Sequence, residues 1–289
     1  MAIAHVGWDR LPVRVREAVR GRLGVQPVVA DTVGGANCGA SAVLTLPDGR
    51  TVFVKAQRER ERRPAPVLVG APAGEVSGWW GSHWEPVDEL DQEERVNAFL
   101  PASAPRVLWR LEVAGWHLLA FEGIDGRHAD YTPGSPDLAL VVDALAELGG
   151  CPVPGLRLPS AWDRWGYWCG PAQKHLLTGT SLLHTDPAAC NVLVDGTRAR
   201  LVDWAWPALG PAWIDAALWG LRLVSAGGHT PEQARAWVSR TPGWRDATPD
   251  GVRAFTLAEA RRWDEEAADG VWGAEALAHA AHAWASLWT

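Results

Sequence analysis

The stretch LLHTDPAACNVLVDG, residues 182–196, carries polar side chains at fixed spacing and runs directly into an apolar strand pattern. His184, Asp186 and Asn191 lie in this stretch, and Asp203 follows the apolar residues of the segment RLVDW, twelve residues after Asn191. Two short strands joined by a turn form a hairpin whose flanking residues meet at one end. The spacing therefore predicts that Asp186, Asn191 and Asp203 lie close together.

These residue types suit phosphoryl transfer, which depends mainly on positioning and on neutralising charge. An aspartate such as Asp186 can accept or orient the proton of an attacking hydroxyl. The amide oxygen of Asn191 and the carboxylate of Asp203 are hard oxygen ligands of the kind that Mg²⁺ prefers. Each signal alone is weak, because an Asp and an Asn at this spacing occur together by chance in many chains. Their order along the chain carries the prediction.

The N-terminal part supplies two further components of a kinase site. Lys55 lies in VFVK, on the third predicted strand after a PDGR turn at residues 47–50, where it can reach phosphates. The alternative is that Lys55 is an ordinary strand-end lysine that extends into water. The chain has only two lysines, so a lysine at this position is less expected by chance. A helix predicted over residues 87–100 carries Glu93 and Glu94. Glu93 is the preferred partner of Lys55, and Glu94 stays open.

A glycine-rich turn, GGANCGAS at residues 34–41, lies between the first two predicted strands. The backbone N–H groups of Gly34, Gly35 and Gly39 can approach phosphates closely. The spacing is not GxGxxG, and a strand follows rather than a helix, which excludes a Rossmann fingerprint. No GxxxxGK[ST] sequence occurs, so a P-loop is excluded as well. The alternative for this turn is a flexible hairpin without a role in binding.

The predicted elements run β-β-β-α-β-β up to residue 122, followed by a hinge at GIDG and a mostly helical remainder. This order predicts an α+β, bilobal fold, with a small antiparallel sheet lobe over residues 1–122 and a helical lobe over 123–289. The helices are predicted over residues 10–22, 87–100, 138–148, a stretch before 175, 213–225, 231–238 and 258–288.

Taken together, VFVK, the helix with Glu93, HTDPAACNVLV and LVDWAWPALGPAWIDAALW resemble the aminoglycoside phosphotransferase and choline-kinase-like family. Its members share the protein-kinase fold but phosphorylate small molecules. The resemblance covers about residues 25–225. The most telling part is Asp-Trp at a strand end, a short loop with Gly210 and Pro211, and then Trp213-x-Asp215 opening a helix. A protein kinase would instead show Asp-Phe-Gly and a long activation segment, for which this sequence has no room.

The resemblance implies an ATP- and Mg²⁺-dependent phosphotransferase in which Asp186 is the catalytic base. By the same resemblance, Asn191 and Asp203 bind Mg²⁺, and Lys55, oriented by Glu93, contacts the phosphates of ATP.

It also implies that His184 supports the catalytic loop through a backbone hydrogen bond near Asp203, and that Asp215 braces that loop. The backbone around Phe121 and Glu122 would meet the adenine. The sequence departs from the family pattern in the loop itself, because Thr185 stands where the family usually has glycine.

The composition and charge of the chain limit the classes of partner that it is expected to bind. The formal net charge of −7 argues against nucleic acid and against an anionic membrane surface. The sequence has no apolar run long enough to predict a transmembrane helix, and the start of the chain lacks a signal-peptide core. The four cysteines lack CxxC spacing. Together these features favour a cytoplasmic protein. Residues 123–289 hold 19 acidic and 13 basic residues, which suits a cationic small-molecule acceptor, although solvated helix surfaces explain such charge equally well.

Several residues near the predicted site have a second interpretation. Trp162, Trp165 and Trp168 can stack on a substrate, but tryptophans at such positions are mostly core. Asp163 and the acidic run at residues 264–266 can bind ammonium groups or simply face water. A transition-metal site at the histidines of this region would need further His or Cys ligands that the sequence does not offer.

Two other functions are alternatives to that of a small-molecule kinase. A catalytically weak or inactive kinase-like module that binds nucleotide or regulates a partner would be expected to lack one of Lys55, Asp186, Asn191 or Asp203, and all four are present. A protein kinase would need the activation segment.

Overall fold

The computed structural model describes residues 5–32, 39–59 and 86–289. The helices are α1 (Val13–Leu23), α2 (Pro86–Asn97), α3 (Asp137–Gly149), α4 (Ala161–Trp165), α5 (Trp213–Ser225), α6 (Pro231–Val238), α7 (Pro249–Ala268) and α8 (Ala274–Ala285). The strands are β1 (Val28–Asp31), β2 (Ala40–Thr45), β3 (Thr51–Arg58), β4 (Val107–Val113), β5 (Trp116–Glu122), β6 (Arg127–His128), β7 (Ser181–Leu183), β8 (Val192–Asp195), β9 (Arg198–Leu201) and β10 (Ala208–Gly210). None of the helices within these ranges is long and apolar enough to cross a membrane.

The N-terminal sheet is antiparallel and has the strand order β1-β2-β3-β5-β4. Side chains alternate between its faces, so Val52 and Val54 on β3 are buried in one core cluster, which also contains Val15 and Val19 of α1. Lys55 has the opposite orientation, towards α2. The alternation of β3 is therefore what directs this lysine towards the helix and the cleft.

The larger part is built around α3, α5, α7 and α8. Trp219 of α5 and Trp284 of α8 are fully buried in its main core cluster. The hairpin β8–β9 packs against α3, and β6 pairs with β8 at its edge. The α+β, kinase-like architecture predicted from the sequence is confirmed.

One predicted helix is wrong. The single helix expected over residues 258–288 is two helices, α7 and α8, and α7 begins at Pro249 behind the N-cap Thr248. Gly270 and Gly273 lie in the break and have φ values of 73° and 80°. Glycine adopts this left-handed conformation without steric cost, so the chain reverses there and α8 packs back on α7.

Helix α2 contacts both parts of the molecule. Leu90 near its start packs with Leu119 and Phe121 of the sheet. Val96 near its end, with Leu100 beyond it, belongs to the main core cluster of the helical part. The division into lobes at residue 122 stays a prediction, and α2 is the element that ties the two cores together.

Candidate active site

Lys55 lies between two carboxylates that come from opposite sides of the cleft. Its Nζ is 2.5 Å from Glu93 Oε1 on α2 and 2.7 Å from Asp203 Oδ1, which follows β9. The side chains of Lys55 and Glu93 are 12% and 3% exposed, whereas that of Asp203 is 39% exposed. The cluster is therefore closed towards α2 and open to solvent at Asp203. Glu94, the other candidate partner of Lys55, contacts Arg110 instead.

The charges of this cluster support one another. Burial disfavours the charged form of Lys55, but the charges of Asp203 and Glu93 outweigh it and raise the pKa of the ammonium group. The surrounding protein opposes ionisation of Asp203, yet the charge of Lys55 and its hydrogen bond hold the pKa of that carboxyl below its ordinary value. Burial raises the pKa of Glu93 to about 8, against the charge of Lys55. A permanent cation thus faces an ionised carboxylate at the mouth of the cleft.

The loop between β7 and β8 is held by hydrogen bonds from both ends. His184 Nε2 lies 2.9 Å from the carbonyl oxygen of Val202, and the Asp186 N–H donates to His184 Nδ1 over 3.2 Å. Because a carbonyl only accepts, this pattern assigns the proton to Nε2. The carboxylate of Asp215 accepts the N–H groups of His184 and Thr185, each at 2.8 Å. His184 and Asp215 therefore fix the backbone that carries Asp186.

Both carboxylate oxygens of Asp186 have a partner. Asn191 Nδ2 donates to Asp186 Oδ2 over 3.0 Å and to the Asp186 carbonyl over 3.1 Å. Arg222 of α5 donates from Nη2 to Asp186 Oδ1 over 2.8 Å. With its amide nitrogen turned to Asp186, Asn191 keeps its Oδ1 as an acceptor, and the thiol of Cys190 lies 3.6 Å from that atom.

Thr185 adopts the left-handed conformation, with φ of 73°. Its hydroxyl donates to the Trp206 carbonyl over 2.6 Å and accepts from Arg164 Nη1, which also donates to the Trp206 carbonyl over 3.0 Å. The Arg164 guanidinium stacks on the rings of Trp165 and Trp206, at 4.9 and 5.5 Å. Burial lowers the pKa of Arg164 to about 10. This arginine links the loop between β7 and β8 to the segment after Asp203.

Sequence reasoning missed Arg164 and Arg222. The sequence held a usable signal for Arg222, because Asp215 and Arg222 are the charged residues of α5, whose other positions are mostly apolar and buried. A charge in such a helix is seldom buried without a partner. The sequence could not identify Asp186 as the partner of Arg222, because the contact depends on how α5 packs against the loop.

The predicted nucleotide contacts are placed as follows. Gly34 and Gly35 lie outside the described residues, and the Gly39 N–H donates to Gln57 Oε1 over 2.9 Å. Phe121 is buried, with its ring centre 5.9 Å from Lys55 Nζ. The Glu122 N–H donates to the Arg106 carbonyl over 2.8 Å. A role for these residues in binding nucleotide stays a prediction.

The residues with a second interpretation are mainly structural. Trp165 is buried and donates from its indole N–H to Glu259. Asp163 caps α4 together with Ser160, and Asp264 contacts His282 at 2.9 Å. Hydrogen bonds or ion pairs of this kind already occupy Asp163 and Asp264.

The chemistry of the donor set fits Mg²⁺. Within residues 5–32, 39–59 and 86–289, no group of three or more His, Cys, Asp or Glu residues forms a metal cage. A magnesium ion held by one or two protein oxygens, phosphates and water needs no such cage. Asn191 Oδ1 and the exposed carboxylate of Asp203 are the oxygens that would contribute.

No protein-family model and no curated protein sequence matches the chain. Solved structures do match it. An aminoglycoside phosphotransferase from Streptomyces rimosus, solved with ADP and streptomycin, is 14% identical with a TM-score of 0.53, and the match covers 91% of this chain and 97% of that one. A type VIII aminoglycoside-3'-phosphotransferase is 18% identical with a TM-score of 0.52, over 84% of this chain and 96% of that one.

A choline kinase from Cryptosporidium parvum is 11% identical with a TM-score of 0.52, and the match covers 99% of this chain and 91% of that one. The chain has the fold of these small-molecule kinases. The fold implied by the resemblance is thus confirmed, although the sequences have diverged widely.

Proposed function

We propose that this protein is an ATP- and Mg²⁺-dependent phosphotransferase that transfers the γ-phosphoryl group to a hydroxyl of a small molecule. The observation that best supports the proposal is the contact between Lys55 of the sheet and Asp203 beyond β9, at 2.7 Å. A phosphate-binding cation and a metal-binding carboxylate converge there, as phosphoryl transfer requires. The likeness in fold to kinases, one of which was solved with ADP, adds support.

In this mechanism Asp186 accepts the proton of the acceptor hydroxyl, while Asn191 and the backbone bonds of its loop hold the carboxylate in position. Lys55 contacts the phosphates of ATP, and Glu93 keeps its ammonium group oriented. Asn191 and Asp203 would hold Mg²⁺, which supplies charge neutralisation to the phosphates. The loop is fixed before any substrate arrives, so little reorganisation is left for the reaction.

The chain segment after Asp203 favours a small acceptor over a protein. Residues 204–212 lead through the short strand β10 directly into α5. Trp206 within this segment is already committed, because its carbonyl binds Thr185 and Arg164 and its indole N–H donates to Glu89 over 3.2 Å. The segment has no length left to form a platform for a peptide. We further expect a cytoplasmic location, where ATP is supplied and unpaired thiols such as that of Cys169 persist.

Nucleotide binding and turnover test the proposal. We expect Mg·ATP to raise the melting temperature of the wild type, and Lys55→Met to abolish most of that rise. Lys174→Met is the matched control, because Lys174 is the other lysine of the chain and is exposed. With an acceptor panel of aminoglycosides, hydroxy acids, sugars and choline, Asp186→Asn is expected to lower turnover about 10²–10⁴-fold.

Two results would count against the enzyme. If Mg·ATP stabilises the wild type but none of these acceptors is phosphorylated, the result favours a nucleotide-binding module over a kinase that acts on these classes of alcohol. If Mg·ATP leaves the melting temperatures of the wild type and both lysine variants unchanged, the assignment of Lys55 and Asp203 to nucleotide is wrong.

A further inference from the structure

The guanidinium group of Arg222 lies beside Asp186, the proposed catalytic base, and only part of its hydrogen-bonding capacity is used by the described residues. Arg222 Nη2 contacts Asp186 Oδ1 at 2.8 Å, and the arginine side chain is 21% exposed. Its remaining N–H groups have no hydrogen-bond partner among the described residues, and its nitrogens are not sealed from solvent. The guanidinium therefore offers hydrogen-bond donors beside the carboxylate that the proposed reaction uses.

The guanidinium of Arg222 is held in orientation by an aromatic ring. Its centre lies 5.6 Å from the ring of Trp263 on α7, and Arg262 lies over the same ring at 4.1 Å. The Trp263 indole N–H donates to Glu259 over 3.1 Å, which fixes the ring itself. A planar, oriented guanidinium presents paired N–H groups that match the oxygens of a carboxylate or phosphate.

The neighbouring carboxylates already have hydrogen-bond partners of their own. Glu259 accepts Arg262 through both carboxylate oxygens, at 2.9 and 3.1 Å, as well as the indole N–H groups of Trp165 and Trp263. Asp215 accepts two backbone N–H groups. The acidic partner of Arg222 in the described part of the chain is Asp186.

The proposed reaction uses that same carboxylate. When Asp186 takes the proton of the acceptor hydroxyl, its charge is neutralised and Arg222 loses its counter-ion. A half-buried cation without a partner is costly. An acceptor that carries its own anionic group would keep Arg222 paired throughout the transfer.

We infer that Arg222 binds an oxyanion of the acceptor, so that the acceptor is an alcohol with a carboxylate or phosphate group near its hydroxyl. The inference rests on the proposed function, because it assumes that Asp186 is the base. It differs from the expectation of a cationic acceptor drawn from the charge of residues 123–289. That charge is spread over the helical surfaces, whereas the group that touches the base is an arginine.

Calorimetric titration of small alcohols in the presence of Mg·ADP tests this inference. The probes are glycerate and glycerol phosphate as anions, glycerol as the neutral analogue and choline as the cation, all at one ionic strength. We expect at least one of the anions to bind the wild type, and Arg222→Met to weaken that binding about ten- to a hundredfold. Arg222→Lys keeps the charge without the planar fork and should fall in between. Arg240→Met, which removes an exposed arginine stacked on Trp237 at 4.1 Å, is the matched control and should bind like the wild type.

The outcomes separate the two proposals. Failure of both anions to bind, or equal binding to wild type and Arg222→Met, overturns the oxyanion site; Arg222 then only positions Asp186. If Mg·ADP binds in the same titrations, the proposed kinase function survives that failure. If an anion binds in an Arg222-dependent way while Mg·ADP does not bind at all, the kinase function falls, and Arg222 is then an anion-binding residue but not part of an acceptor site.

Discussion

Thr185 has a backbone conformation that suits glycine, with φ of 73°. For an L-residue this region costs about 1–2 kcal/mol, and a β-branched side chain has the least freedom to adapt. Asp203 shares the feature, with φ of 66°. Such strain persists where surrounding contacts determine the geometry. At Thr185 those contacts come from its hydroxyl, which joins the Trp206 carbonyl and Arg164.

The hydroxyl of Thr185, rather than its shape, should therefore stabilise the loop. Thr185→Val keeps the branched shape but removes one hydrogen bond from the Trp206 carbonyl and one from Arg164, so we expect a loss of about 1–3 kcal/mol in the free energy of unfolding. Thr185→Ser keeps the hydroxyl and should stay within about 0.5 kcal/mol of the wild type. Urea denaturation measures both. Equal losses for the two variants would show that the hydroxyl contacts are unimportant.

The sequence could predict some site residues and not others, for a physical reason. Asp186 and Asn191 precede the hairpin β8–β9 and Asp203 follows it, so their proximity follows from local geometry. The orientation of the Lys55 side chain follows from the alternation of side chains along the single strand β3. Arg222 reaches Asp186 from another helix, and nothing in its spacing defines that contact.

At the scale of elements, α5 and α8 approach so closely that one position requires glycine. A Cβ on Gly220 would lie 2.5 Å from a ring atom of Trp284. Trp284 is 2% exposed in the core and cannot move aside freely.

We expect Gly220→Ala to destabilise the protein by about 1–3 kcal/mol, because the added methyl overpacks this contact. Gly21→Ala in α1 is the matched control, since a Cβ at Gly21 meets no atom within 4 Å. It should stabilise the helix by about 0.5–1 kcal/mol. Thermal unfolding of both variants gives the comparison, and a Gly220→Ala protein as stable as Gly21→Ala would mean that the two helices are not closely packed.

Elements with clear signals were predicted well. The bounds of α5 and α6 agree with the sequence pattern, and α6 begins with proline behind the capping residue Thr230. The boundary between α7 and α8 was missed because alanine-rich helical periodicity continues on both sides of Gly270. Strands of two or three residues such as β6, β7 and β10 have no periodicity, and only their partners define them.

At the scale of the whole molecule, α2 couples the sheet to the helical part. Glu93 binds Lys55 of the sheet, while Glu89 accepts the Trp206 indole N–H from the segment after Asp203. The sequence predicted the helix and its glutamate, but periodicity alone cannot reveal that one helix contacts two cores. The position of α2 therefore affects Lys55 and the segment after Asp203 together.

Glu259 links global stability to pH. It is buried, and burial opposes its ionisation, yet the charge and hydrogen bonds of Arg262 outweigh this and lower the pKa of Glu259 below its ordinary value of 4.5. A carboxyl whose pKa is lower in the folded than in the unfolded protein stabilises the fold at pH values above the unfolded pKa. That contribution is lost as the pH falls through the folded pKa. The contribution of Glu259 should thus be complete at neutral pH and shrink below about pH 4.5.

Glu259→Gln should lower the free energy of unfolding by about 3 kcal/mol at neutral pH, because the partly buried Arg262 then keeps only the more distant carboxylate of Glu266, at 3.9 Å, among the described residues. The difference from the wild type should narrow in urea titrations repeated towards about pH 4. Glu265→Gln, an exposed carboxyl on the same helix, serves as the control and should change stability by less than about 0.5 kcal/mol at either pH. A difference for Glu259→Gln that stays constant across this range would mean that folding does not lower the pKa of the Glu259 carboxyl. Because Glu259 accepts the indole N–H of Trp263, over whose ring Arg222 lies, the same variant should also weaken the proposed binding of an oxyanion to Arg222 at neutral pH.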